Sequence, residues 1–367
     1  MSLNAVQFPA ILSSIKTAIP RFLGVVLCAF AGLSFASCDR KESSPDWNPP
    51  VNQATSEVPS TSVASVPVVS TLSVEKIAQT PTATATPPAE TPSTEGLRFM
   101  NYNVENWLTM DRYVERKNLK GAPKPDSEKA AAIALMARHS PDIIGLCEIG
   151  TAEDLAEIQE KLKAAGLDLP HLHYTGGSDA VRHLGILSRF PITATAKPAV
   201  VDYQLDGKAH SIGRGILDAT ITVRAKSYRF IGVHLKSKRE TDVGDQAAMR
   251  LSEARLLRRH IDSVFATDAD ARLVVYGDLN DTRATPTIKA ITGKFNAPTY
   301  LTAIPAQDSA KTAWTHHWAI NDVYSRIDFI MVSPALKPEV DFPAAKIIDD
   351  ADWSQASDHR AILAIFR

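Results

Sequence analysis

From Leu97 onward the chain is built of short apolar runs, and four of them, residues 183–188, 192–200, 215–223 and 227–235, follow one another with no helical pattern between them. Apolar runs of this length bounded by polar residues read as buried strands. A doubly wound parallel sheet needs a crossover helix between consecutive strands. This succession therefore excludes strict βαβ alternation and points to sheets that are mixed or mostly antiparallel. LRFMNYNV from Leu97, DIIGLCEI, RLVVYGDLN, SRIDFIMVS and the closing Ala361–Phe366 supply further strands. Helices are expected at 127–139, ended by Pro141, at 151–165 with Leu155, Ile158 and Leu162 on one face, and at 245–265 with Leu251, Ala254, Leu257, Ile261 and Val264 on one stripe. Two sheets packed face to face with helices outside suit residues 96–367.

The residues before Leu97 have a different character. FLGVVLCAFAGLSFA at 22–36 follows Lys16 and Arg21, and a basic flank before an apolar stretch with small residues describes a secretory signal. The run is shorter than the roughly 20 residues a spanning helix needs; an uncleaved signal anchor is the alternative. Phe35-Ala36-Ser37-Cys38 resembles the bacterial lipoprotein box, which implies lipidation at Cys38; Phe35 departs from the usual leucine. Residues 1–37 are thus expected to be an address. Residues 38–95, rich in Pro, Ser and Thr, are expected to be a disordered tether, because such composition buries too little to offset chain entropy. The protein is then extracytoplasmic and membrane-anchored through Cys38, or else secreted or periplasmic. Cys147 alone remains in the body, which excludes a disulfide framework there.

The formal net charge is −1, and residues 1–95 hold five of the 40 basic and seven of the 41 acidic side chains, leaving 35 and 34 for the body. No global field pulls this protein toward nucleic acid. Polyanion binding must come from local clusters or from a bound cation. Two basic clusters exist. Lys236, Lys238 and Arg239 follow His234, and Arg112, Arg116, Lys117, Lys120 and Lys124 follow the first strand. Either they face a phosphate backbone or they are solvated loop charge.

Several buried-looking strands end in residues that a core does not accept. Asn103, with Glu105 after it, ends the first; Glu148 the second; His234 the last of the group at 183–235; and Asp278, followed by Asn280, the run at 272–277. Asp328 sits at the strand around 326–332, and Ser357-Asp358-His359 precedes the last. Unpaired buried charge is very costly, so these groups need salt bridges or a hard cation such as Mg²⁺, which takes oxygen ligands. No cysteine–histidine spacing suggests structural zinc, and neither a glycine-rich phosphate loop nor a GxSxG elbow is present.

The ordered set NYNVEN, DIIGLCE, GILSRFPI, GVHLKSK, GDLND, SRIDFIMVS and SDH, from Leu97 to Arg367, resembles the endonuclease/exonuclease/phosphatase superfamily. That resemblance implies a four-layered α/β sandwich, two packed mixed sheets flanked by helices, with the site at one edge. It implies that Asn103 and Glu148 bind metal, with Asp358 near metal and phosphate. Asp278 and Asn280 match the pair that deprotonates and aligns the attacking water. Asp328 and His359 match the Asp–His pair beside the scissile phosphate, and His234 a phosphate-bound or acidic histidine. Arg214 falls where some members hold a phosphate-contacting arginine, and Lys236 and Lys238 join it as candidate phosphate ligands. Cys147 replaces a common Gln and reads as a buried thiol; Glu105 replaces a common Asp.

The expected activity is Mg²⁺-dependent hydrolysis of phosphodiesters, with Mn²⁺ or Ca²⁺ as alternative ions, by an extracytoplasmic nuclease on DNA or RNA. The alternative is a phosphatase or phosphodiesterase for small or lipid phosphoesters of the inositol phosphate or sphingomyelin type. A non-enzymatic copy of the fold is disfavoured, because every expected catalytic residue type is present. Trp314, His316, His317 and Trp318 either stack a base or sugar or pack at a sheet edge. No protein partner is inferred.

Overall fold

The computed structural model describes residues 96–114 and 116–367. The expected address at 1–37 and tether at 38–95, with Cys28 and Cys38, lie outside the described residues. The elements run β1 (Leu97–Trp107), β2 (Met110–Val114), β3 (Lys117–Ala122), α1 (Asp126–His139), β4 (Ile143–Ile149), α2 (Ala152–Ala164), β5 (His171–Thr175), β6 (His183–Ser188), β7 (Ile192–Thr195), β8 (Asp202–Leu205) and β9 (Lys208–Ser211). They continue with β10 (Ile216–Val223), β11 (Lys226–His234), α3 (Gln246–Thr267), β12 (Leu273–Asp278), α4 (Pro286–Thr292), β13 (Thr302–Ala303), β14 (His316–Trp318), β15 (Val323–Ser325), β16 (Asp328–Val332), β17 (Lys346–Ile347) and β18 (Ile362–Phe366).

Two six-stranded sheets form, in the orders β17-β18-β1-β4-β6-β5 and β13-β16-β12-β11-β10-β7. Each contains one parallel pair, β1 with β4 and β11 with β12, and is otherwise antiparallel. The sheets are therefore mixed, as the uninterrupted run of strands predicts. Period-two alternation sends Phe99, Ile143, Ile186, Leu217, Phe230, Tyr276, Ile330 and Ala364 into the layer between the sheets. The outer face of the first sheet packs on α1 and α2 through Met100, Ile144, Met136 and Leu155. That of the second packs on α3 and α4 through Ile231, Val275, Leu257 and Ile288. Helices, sheet, sheet and helices make the expected four layers. The Tyr276 ring crosses the layer between them, and a Cβ on Gly145 would lie 2.0 Å from it.

Several elements differ from expectation. The strand expected over 192–200 stops at Thr195, ahead of Pro198, which has no N–H for a ladder. The first strand does not end at Asn103 but continues to Trp107 through a register shift. The β8–β9 hairpin turns at Asp206-Gly207 with φ 50° and 72°, the left-handed pair a tight hairpin uses. β5, α4 and the hairpins β2–β3 and β14–β15 also lie outside the expected elements, being too short for a clear period. Cys147 is a buried free thiol, as expected.

One buried ion cluster ties α3 to the second sheet. Asp218 on β10 is 1% exposed and accepts from Arg229 Nε at 2.8 Å, Arg229 Nη2 at 2.7 Å and His260 Nε2 at 2.6 Å. Burial works against its charge, but His260 and Arg229 hold its carboxyl below the usual range. A carboxyl depressed by folding stabilises fully above its unfolded pKa of about 3.9 and loses that contribution as pH falls through the native value. Asp218→Ala, which strands both partners, is expected to cost about 3–5 kcal/mol at pH 7. Urea unfolding checks this, and the gap to the parent protein is expected to narrow below about pH 4.

Candidate active site

The strand alternation that fills the core also builds a polar rim. Asn103 continues the inward face of Leu97 and Phe99, His234 that of Tyr228 and Phe230, Asp278 that of Val274 and Tyr276, and Asp328 that of Ile330 and Val332. In the second sheet these residues stand in register, His234 opposite Asp278 and Asp278 opposite Asp328. Where the apolar layer ends, the same faces carry four polar side chains exposed by 2% or less. His359, just before β18, and Glu148, near the end of β4, approach from the first sheet.

Backbone irregularity aims the remaining groups. Glu148 lies where β4 shifts register against β6, with φ 66°, and a bulge of this kind re-aims a side chain. Glu105, Asn106 and Asn280 are also left-handed, at φ 49°, 54° and 49°. Such conformations cost roughly 1–3 kcal/mol each and gather at functional sites. Gly277, at φ 139°, is obligatory beside Asp278, because a Cβ there would lie 1.8 Å from the Val233 carbonyl oxygen.

The side chains converge. His359 Nδ1 lies 2.8 Å from Asp328 Oδ2, and its Nε2 lies 3.7 Å from Asp278 Oδ2 and 3.9 Å from Asp358 Oδ1. Asn103 Nδ2 donates to Asp278 Oδ2 at 3.2 Å and lies 3.4 Å from His359 Nε2. His234 Nε2 is 3.5 Å from Asp278 Oδ2 and 3.9 Å from Glu148 Oε1. Asn280 N donates to Asp278 Oδ1 at 2.9 Å, and Asn106 N to Glu148 Oε2 at 2.8 Å. Glu105 accepts from Asp358 N at 3.0 Å, so its longer arm braces the Asp358 main chain.

Burial and neighbouring charges separate the proton affinities. Burial, and then the charge of Asp328, lift Asp278 to about 7, against the pull of His359. Burial opposes charge on His359, but the charge and hydrogen bond of Asp328 raise its imidazole well above the usual value. Burial followed by the charge of Arg214 holds His234 well below it. The rim therefore offers a cationic histidine, a neutral histidine and a carboxyl poised near neutrality, which is the pairing of acid and base that proton transfer requires.

The expected phosphate ligands divide. Arg214 is 8% exposed, its Nε 3.2 Å from Asp179 Oδ2, and its charge reaches His234. Lys236 is half-buried, and the charge of Arg214 reaches it too. Lys238 is turned to Asp281, at 3.3 Å. In the other basic segment Lys124 is buried, donating to Glu105 O at 3.1 Å, and Arg112 donates to Asn106 O at 2.6 Å; only Arg116, Lys117 and Lys120 stay exposed. A count of charges along the chain does not reveal burial.

A support escapes the sequence reading. Glu253 on α3, 1% exposed, accepts from Gly213 N at 3.1 Å and Lys236 N at 2.6 Å. Arg250, one turn earlier, donates to Lys236 O at 3.2 Å and reaches Asp281 Oδ2 at 3.3 Å. Together they hold the loops bearing Arg214, Lys236 and Asn280. The signal is present as charged residues on the inward stripe of a helix.

A family model described as the Endonuclease/Exonuclease/phosphatase family matches residues 118–359. Solved structures with the same fold include a 3′ phosphatase, NExo, from Neisseria bound to product DNA hairpin (16% identity, TM-score 0.53, covering 74% of this chain and 99% of that one). They also include an endonuclease/exonuclease/phosphatase from Bacteroides vulgatus (18%, 0.52, 74% and 98%) and a protein of that family from Leptotrichia buccalis C-1013-b (15%, 0.51, 74% and 99%). No curated protein matches the chain significantly.

The Asp278 shift has a stability consequence. A carboxyl raised by folding contributes at low pH, and the contribution is lost as pH rises through the native value, here between about 4 and about 7. In chelator, the parent protein is expected to lose melting temperature across that window, and Asp278→Asn to lose measurably less. Parallel melting curves of the two proteins would contradict the shift.

Proposed function

Because this chain belongs to the endonuclease/exonuclease/phosphatase family and is a hydrolytic phosphoesterase, we propose that it cleaves the phosphodiester bonds of DNA or RNA with Mg²⁺ as its metal. The reading rests on one observation above the others, the approach of His359 Nε2 to Asp278 Oδ2 at 3.7 Å with their proton affinities pushed in the senses that a general acid and a general base need.

The donor set suits a hard divalent cation. Asp328 Oδ1 is buried without a partner, Asp278 faces Asp328, and the rim offers carboxylate and amide oxygens but no thiolate. Glu148, Asn103 and Asp358 would hold the ion, which when bound supplies positive charge to a phosphate oxygen. Asp278 takes the proton of the attacking water, and Asn280 orients that water. Asp328 fixes the tautomer and direction of His359, so that the Nε2 proton passes to the departing oxygen. Neutral His234, within reach of the Arg214 charge, donates to the phosphate, and Arg214 and Lys236 supply positive charge for it.

Nucleic acid is favoured as substrate by the exposed cations Arg116, Lys117 and Lys120 on the β2–β3 hairpin and by exposed Trp318 and Tyr324 on the β14–β15 hairpin, which suit backbone and base contact. The Neisseria neighbour, which shares the fold, is bound to a product DNA hairpin. The second reading, a small or lipid phosphoester, draws on Ile320, which is 86% exposed on that hairpin. The address reading makes the enzyme extracytoplasmic, anchored through lipidated Cys38.

Asp278→Ala and His359→Ala are each expected to lower turnover about 10²- to 10⁴-fold with the circular dichroism spectrum unchanged; near-parental turnover by either folded variant would remove its assigned role. Purified enzyme with Mg²⁺ is expected to cut plasmid DNA or RNA and to stop in chelator. Phosphate release from a small ester with both nucleic acids intact would favour the second reading. Cys38→Ser is expected to move the protein from the membrane fraction to the soluble fraction, and continued sedimentation with membranes would end the anchor proposal.

A further inference from the structure

The β14–β15 hairpin places a third nitrogen donor at the rim. His316 bridges His359 across an antiparallel main-chain pair. Thr315 locks the hairpin there: its carbonyl accepts from Arg360 N at 2.7 Å, and its hydroxyl oxygen accepts from Ile327 N at 3.2 Å and Asp328 N at 3.1 Å. His317 N donates to Asp358 O at 3.1 Å, closing the other side. The ring of His316 consequently lies 4.6 Å from that of His359, centroid to centroid, and its Nε2 is 3.6 Å from Asp358 Oδ2.

One donor atom from each of His316, Asp358 and His359 falls within 4.8 Å of the other two. We propose that these three residues form a binding site for a transition metal of the Zn²⁺ type, and that its occupation switches the phosphoesterase off.

Two imidazoles and one carboxylate are a donor set for Zn²⁺ rather than for Mg²⁺, which takes oxygen. A tetrahedral ion about 2.0–2.1 Å from each ligand needs donors about 3.3 Å apart. His316 and Asp358 are partly exposed, at 21% and 41% of their side chains, so both have room to close that gap. His359 is prepared for ligation from behind. Its Nδ1 is held by Asp328 at 2.8 Å, the carboxylate–histidine order that orients a ring toward a metal through Nε2. The fourth position is left to water or to an oxygen of substrate. A metal on Nε2 displaces the proton there, so the nitrogen no longer serves the leaving oxygen.

The inhibitory half of this proposal rests on the role given to His359 above; the binding half does not. The test separates them. Zn²⁺ alone is titrated into the purified full-length chain against a chromophoric chelator, for the parent protein, His316→Ala and His316→Gln. Phosphodiester cleavage in Mg²⁺ is then measured over a range of added Zn²⁺. Expected are one zinc per parent chain, an affinity lower by about tenfold or more in both variants, and activity without zinc within about threefold of the parent. The zinc concentration for half inhibition is expected to rise with the loss of affinity. Histidine-316-dependent zinc binding by a chain that shows no phosphoesterase activity would keep the metal site and overturn the functional reading instead. No zinc bound, or equal affinity in all three proteins, would overturn the site. Variant-dependent binding with unchanged inhibition would overturn the switch.

Discussion

Asp278 and Asp328 stand directly opposite each other on neighbouring buried strands, an arrangement of like charges that a sheet normally rejects. The second sheet keeps them because His359 comes from the first sheet and faces both, with Nδ1 on Asp328 and Nε2 toward Asp278. That interaction crosses the layer between the sheets, so the relative placement of the two halves and the state of the site are one problem. Asn101 joins at the same level by donating to Phe329 O at 3.3 Å. The apolar layer, with Tyr276 lodged between Gly145 and Gly232, supplies the driving force, and the polar rim sets where it stops.

The rim is a place where folding is weakened locally. Four of its non-glycine residues are left-handed, two carboxyls, Asp278 and Glu105, are lifted to about 7, and His234 Nδ1 and Asp328 Oδ1 are buried without partners. At neutral pH none of these helps the free protein fold. They persist because the surroundings over-determine them, through the Gly277 contact, the Glu105–Asp358 brace and the α3 residues Arg250 and Glu253 that pin three loops from behind.

Much of this is legible in the sequence, for a physical reason. Asn103, Glu148, His234, Asp278, Asp328 and His359 stand out because each sits at or near the end of an apolar run, where burial and polarity conflict, and the structure gathers them at one rim. The four layers are legible because strand succession and helix periodicity agree. Three things are not legible. The bulge at Glu148 depends on pairing with β6, which a local reading does not see. The burial of Lys124 depends on Glu105 on β1 and Glu128 on α1, and the first of these is 19 residues away in sequence. The place of His316 depends on a three-residue strand with too few positions to show a period.

His316 shows how near one chemistry lies to another on this rim. Asp328 holds His359 through Nδ1 and leaves Nε2 turned toward Asp278 and Asp358, and an imidazole nitrogen with a carboxylate behind the ring is equally a proton donor and a metal ligand. Oxygen donors alone would leave a transition metal little preference for the site. A second imidazole across a main-chain bridge changes that, because nitrogen donors shift selectivity from Mg²⁺ toward Zn²⁺. Residue 316 thereby sets which ions the rim answers to. A hairpin that brings His316 to Asp358 and His359 makes the rim responsive to trace metal, and replacing His316 weakens that response while Asp358 and His359 stay in place.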